Sequence, residues 1–189
     1  MEQRNYSIIY RIIHWAIAIC MMLLLLTIFL RLTWMNRESM AEIIKNYLAT
    51  TDQTLSQEQL GQLSRQLRRP MWEWHMYIGY VLTGLFFLRF ILPFFGEMKF
   101  MSPFRKGMTT KLKFQAWVYI IFYACVVVSL TTGLIIEFGP KTWKDPMEEI
   151  HVLSIYYFVT FLVLHFAGVL IADSTNQKGI ISRMIGGKN

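Results

Sequence analysis

HVLSIYYFVTFLVLH, residues 151–165, is a run with a histidine at each end and no charged side chain between them. Thirteen apolar or weakly polar residues in succession suit a helix in a bilayer. At about 100° per residue, the 14 positions from His151 to His165 come within about 40° of four full turns and rise about 21 Å. Both imidazoles are therefore expected on one face of one helix, at opposite depths. A polar ring placed in hydrocarbon is costly and needs a reason to be there.

The rest of the chain has the same character. Of its 189 residues 54% are apolar and 16% charged, against about 25% charged in an ordinary soluble domain. Four stretches are long enough to cross about 30 Å of hydrocarbon: 12–34, 74–95, 114–136 and 152–172. The expected fold is an all-α integral membrane four-helix bundle, one domain over 1–189. The first apolar run is longer than the core of a secretory signal, no small-residue cleavage site follows it, and it is expected to stay in the protein. Between the first two spans, Met40, Ile43, Ile44, Tyr47 and Leu48 repeat as one helical face. Ser56 with Gln59 three positions on forms a capping box ahead of Leu60, Leu63 and Leu67. Residues 36–69 thus read as a helical hairpin on the membrane surface, ended by Pro70.

The net charge of +7 falls between the apolar runs, as a topology signal does, and forms no stripe of the kind that binds nucleic acid. The N-terminus, second loop and C-terminus hold ten basic residues, Arg4, Arg11, Lys99, Arg105, Lys106, Lys111, Lys113, Lys178, Arg183 and Lys188. The opposite side holds eight. The five basic residues before the third span, against Lys141 and Lys144 beside three acids after it, place both termini in the cytoplasm. Trp34, Trp72, Trp74, Trp117 and Trp143 lie near span ends as an aromatic belt. Cys20 and Cys125 sit singly inside apolar runs, with no spacing suited to zinc, an iron–sulfur cluster or covalently attached haem.

The four histidines, His14, His75, His151 and His165, all fall in spans or at their edges. Because spans alternate in direction, His14 and His165 come to the inner level and His75 and His151 to the outer one. Zinc or copper held by imidazoles alone would want three or four at one point. Two distant pairs suit two six-coordinate haem irons, whose filled axial positions leave electron transfer as the expected work. Small residues stand near each histidine where a flat macrocycle would press: Ala18, Gly79, Ser154 and Gly168. Arg89, a cation within the second span, is expected to pair with a haem propionate or to reach the inner interface; Arg11, one turn before His14, is a further propionate candidate. A haem-free anchor or metal-handling module is the alternative from another class.

RIIHW at 11–15, H-x-x-x-G at 75–79 followed by Arg89, the 151–165 histidine spacing, TTGLII at 131–136 and KGIISRMIGG at 178–187 together resemble the bacterial cytochrome b561 family. That family is related to the cytochrome b subunits of nickel–iron hydrogenase and the gamma subunit of formate dehydrogenase, and the likeness spans nearly the whole chain apart from 36–69. The resemblance implies two non-covalent haems b in an inner bacterial membrane, ligated by His14 with His165 and by His75 with His151. It also implies quinone exchange by the inner haem, with Lys111, Lys113 and Gln115 as neighbours, and a redox partner subunit on the outer, periplasmic side. A stand-alone quinone oxidoreductase acting on a small oxidant such as superoxide is the nearest alternative. The 36–69 segment departs from the family's usual shorter first loop.

Overall fold

The computed structural model describes residues 6–175 and 177–187; Arg4 and Lys188, which entered the charge count, lie outside them. Among the described residues the regular structure is wholly helical: α1 (Ile8–Leu32), α2 (Arg37–Ala49), α3 (Gln57–Ile91), α4 (Thr110–Phe138), α5 (Lys144–Val152), α6 (Ser154–Ser174) and α7 (Ile180–Gly186), with 3-10 turns at Leu92–Phe95 and Lys141–Trp143. Four segments are long and apolar enough to cross a membrane: Ile8–Leu32, Gln57–Phe95, Thr110–Phe138 and Lys141–Ser174. They contain the four expected spans, apart from the last two residues of the first, and extend each by several residues. The chain divides into two compact units, one of residues 16–85 and the other of residues 1–15 with 86–189.

In the 16–85 unit, Asn36 starts α2 by accepting from the Ser39 amide at 2.8 Å while its side-chain amide donates to the Thr33 carbonyl at 2.6 Å. These bonds satisfy a donor that a helix start leaves open and tie α2 to the end of α1. The stripe on α2 splits: Met40, Ile44 and Leu48 are half-buried, whereas Ile43 and Tyr47 are exposed. The capping box at α3 forms in both directions, Ser56 N–H to Gln59 Oε1 at 2.9 Å and Gln59 N–H to Ser56 Oγ at 3.2 Å.

Two expectations for this region are corrected. Pro70 does not end a hairpin helix; α3 runs through it from Gln57 to Ile91, joining the expected surface helix to the second span. Proline's fixed φ suits a helix, and its cost is one ladder bond and a clash with the carbonyl four residues back. Ordered helix on both sides, with Ser64 and Met71 buried, offsets that cost here. The buried line follows Leu60, Ser64 and Met71, with Leu67 left exposed. Arg37 explains the shift, because its guanidinium lies over Gly61, where an added Cβ would come 2.8 Å from Nη2.

In the other unit, Ala116, Phe122, Val126 and Thr132 are the buried residues of α4. Phe122 stacks on Phe161 of α6 with ring centroids 3.6 Å apart, and the Tyr157 hydroxyl donates to Ser129 Oγ at 3.0 Å. The fourth span is not one unbroken α-helix. Leu153 separates α5 from α6 with ψ near −12°, and i to i−3 bonds from Leu153 to Ile150 and from Tyr156 to Leu153 tighten the turn. His151 and His165 thus sit on successive helices, so the ideal four-turn register is altered by a 3-10 turn between them. The tail folds back: Gly179, with φ of 75°, opens α7. Trp15 Nε1 donates to the Met184 carbonyl and Arg11 Nη1 to the Ile185 carbonyl, each at 3.1 Å.

Candidate functional site

His14 of α1 and His165 of α6 come together with ring centroids 6.1 Å apart and planes tilted by 41°. Two imidazoles bonded through Nε2 to one metal at about 2 Å each have centroids about 6 Å apart. The spacing is too wide for a stacked pair and fits a pair with an ion between. His165 is steadied by Phe161, at 5.5 Å and nearly parallel, and by the Tyr119 hydroxyl 3.3 Å from its Nδ1. Gln115 stands one turn earlier than Tyr119 on α4. His14 lies edge-on to Trp15, whose indole is held by the tail.

His151, at the end of α5, is set by α4. Its Nδ1 lies 3.0 Å from the Ser129 carbonyl and 3.1 Å from Thr132 Oγ1. A carbonyl only accepts, so Nδ1 carries the proton and the lone pair falls on Nε2. Gly133 makes room for this approach, since a Cβ there would sit 3.1 Å from His151 Cε1. His75 of α3 stands in the 16–85 unit with Nδ1 2.7 Å from Thr27 Oγ1 of α1.

The small residues near the histidines differ in surroundings. A Cβ added at Gly79 or Gly168 meets nothing within 4 Å, so these positions leave a side-chain-free surface beside His75 and His165. Gly84 and Gly186 are equally open, so openness alone does not mark a ligand face. Gly133, Thr27, Thr132 and Tyr119 were not singled out from the sequence; their signal is the contact with a histidine, which only the folded chain displays.

Arg89 is 5% exposed. It donates through Nη1 to the Met98 carbonyl at 2.8 Å and through Nε to the Tyr123 hydroxyl at 3.2 Å, with its guanidinium 4.2 Å from the Phe100 ring centroid. The protein itself supplies it with an acceptor, a hydroxyl and an aromatic face, which the sequence reading did not foresee. Arg11 binds the tail carbonyl, and its Nε is buried without a hydrogen-bond partner among the described residues. Lys111 and Lys113 are exposed in the opening turns of α4, with Gln115 one turn along. Among the described residues no three His, Cys, Asp or Glu side chains gather as a multidentate metal site.

The family model described as prokaryotic cytochrome b561 matches residues 5–187. Comparison with curated proteins and with solved structures returned no match. The family implies haem b and membrane electron transfer, and the His14 with His165 geometry suits such a group. A match over nearly the whole chain, on a helical framework with four apolar spans, shows that this chain belongs to the prokaryotic cytochrome b561 family.

Proposed function

We propose that the chain is a dihaem cytochrome b that carries electrons across the bacterial inner membrane between the quinone pool and a redox partner on the periplasmic side. One haem b is held by His14 and His165, the other by His75 and His151, all non-covalently. The observation that carries this is the 6.1 Å separation of the His14 and His165 rings. The pairing of His75 with His151 rests on the alternating direction of the spans. When bound, each haem would supply one-electron exchange at its iron, and the four histidines named are the residues that would hold the two groups.

The chain's own residues bind, orient and insulate. The four imidazoles are half-buried, and Gly79 and Gly168 leave open space beside two of the ligands. Arg11 stands one turn from His14 with a buried Nε toward which a propionate could turn, and Arg89 is a second cation of the same unit. Quinone binds near the inner pair beside Lys111, Lys113 and Gln115, the last one turn before Tyr119, whose hydroxyl lies 3.3 Å from His165 Nδ1. Both termini lie in the cytoplasm, and the α2 segment faces the partner.

The test is anaerobic addition of a quinol to the purified protein, followed by its visible spectrum. Haem reduction should occur, and Lys111→Ala, Lys113→Ala and Gln115→Ala should slow it while leaving the haem spectrum unchanged. Failure of menaquinol and ubiquinol alike to reduce a haem-replete protein would overturn quinone exchange.

A further inference from the structure

We infer that Thr27 and Thr132 are positioning residues that fix the tautomer of His75 and His151 and thereby set the ferric preference of the haem those two histidines hold. The inference rests on the ligand assignment above and adds to it a role for two threonines that lie on neither ligand's helix.

A threonine in an apolar helix ordinarily turns its hydroxyl proton back to its own backbone three or four residues earlier. Both do so: Thr27 Oγ1 donates to the Leu24 carbonyl at 2.6 Å, and Thr132 Oγ1 lies 2.9 Å and 3.0 Å from the Val128 and Ser129 carbonyls. A hydroxyl has one proton and two lone pairs. With the proton spent on the helix, what each threonine offers outward is an acceptor. Facing that acceptor at 2.7 Å is His75 Nδ1, and at 3.1 Å His151 Nδ1. Each imidazole must therefore donate from Nδ1, which puts the lone pair on Nε2. For His151 the Ser129 carbonyl at 3.0 Å enforces the same choice.

Thr27 is 8% exposed and Thr132 5%, so water does not compete for either hydroxyl. Within its own unit each pair has the same design: a helix carbonyl, a threonine hydroxyl and Nδ1–H, with the lone pair left on Nε2. A hydrogen bond from Nδ1–H to oxygen raises the basicity of Nε2 and holds the ring orientation, and loss of such a partner typically weakens metal binding about 10- to 100-fold. A more basic imidazole favours the ferric ion over the ferrous one. His151 has the Ser129 carbonyl as a second acceptor at 3.0 Å.

The experiment uses the full-length protein in detergent with haem bound, titrated potentiometrically and followed by visible and electron paramagnetic resonance spectra. The haem held by His75 is identified as the transition lost in His75→Ala. Thr27→Val keeps the shape and removes the acceptor. It should lower the ferric-over-ferrous preference of that transition about tenfold, an upward shift of about 59 mV for one electron, and leave the other transition in place. Thr27→Ser should restore the wild-type value, which a packing role for the methyl group would not. Thr132→Val should shift the same transition less than tenfold, because the Ser129 carbonyl remains to accept from His151 Nδ1. Two haems with neither moved by Thr27→Val, or both moved equally, would overturn the inference. A wild-type protein with fewer than two haems would instead refute the ligand assignment beneath it.

Discussion

Replacing Arg89 by methionine isolates what its buried cation does. The side chain donates to the Met98 carbonyl at 2.8 Å and to Tyr123 at 3.2 Å, and its guanidinium lies 4.2 Å and 5.2 Å from the Phe100 and Tyr123 ring centroids. A hydrogen bond from a charged group contributes about 1.5–3 kcal/mol, and cation–π contacts about 0.5–1 kcal/mol each. Methionine fills much of the same volume without the cost of burying a charge, so the net loss is about 2–3 kcal/mol. These contacts clasp Met98 and Phe100 to the end of α3 and to Tyr123 in the middle of α4, so the loss falls on local opening of the loop after α3. At about 1.4 kcal/mol per tenfold, the Gly96 and Glu97 amides, bonded to the Pro93 and Leu92 carbonyls, should exchange about 30- to 100-fold faster. Amides of α6, to which none of these contacts reaches, should be unaffected. Hydrogen exchange followed by mass spectrometry on the detergent-solubilised protein reads this directly. Unchanged exchange at 96–97 would refute the clasp, and unchanged exchange combined with lost haem would assign Arg89 to a propionate instead.

The two classes of glycine should both lose haem on substitution, Gly133 by disturbing a ligand and Gly168 by filling open space. Gly133→Val crowds His151 Cε1, where even a Cβ would sit at 3.1 Å; it should reduce incorporation of the haem bound by His151, measured by extractable haem per chain. At Gly168 an added Cβ meets nothing within 4 Å, so in Gly168→Leu the apoprotein should keep its helix content and thermal transition while haem bound beside His165 is lost. Equal haem content in Gly168→Leu and wild type would show that this face is turned to lipid.

Hydropathy and histidine placement carried the four spans, because about 20 apolar residues have few other uses and an imidazole in hydrocarbon needs a partner. The capping box at Ser56 and Gln59 was equally legible, being a local bond pattern with a fixed spacing. Pro70 was misleading, since a proline ends a helix in many settings and interrupts only one bond in others. The tight turn at Leu153 has no glycine or proline to announce it. Thr27 and Thr132 were hidden because a threonine in a span bonds its own helix by default, and only the third dimension shows which way the remaining lone pairs face. The partner of Arg89 was hidden for a related reason: every residue offers a carbonyl, so nothing in the sequence marks the one at Met98.

The most direct test is the number of haems per chain in the purified wild type and in His14→Ala and His165→Ala. Two haems in the wild type and one in each variant, with the same spectral component missing from both, are the predicted result. Fewer than two in a correctly folded wild type, or different components missing from the two variants, would contradict a shared iron between His14 and His165.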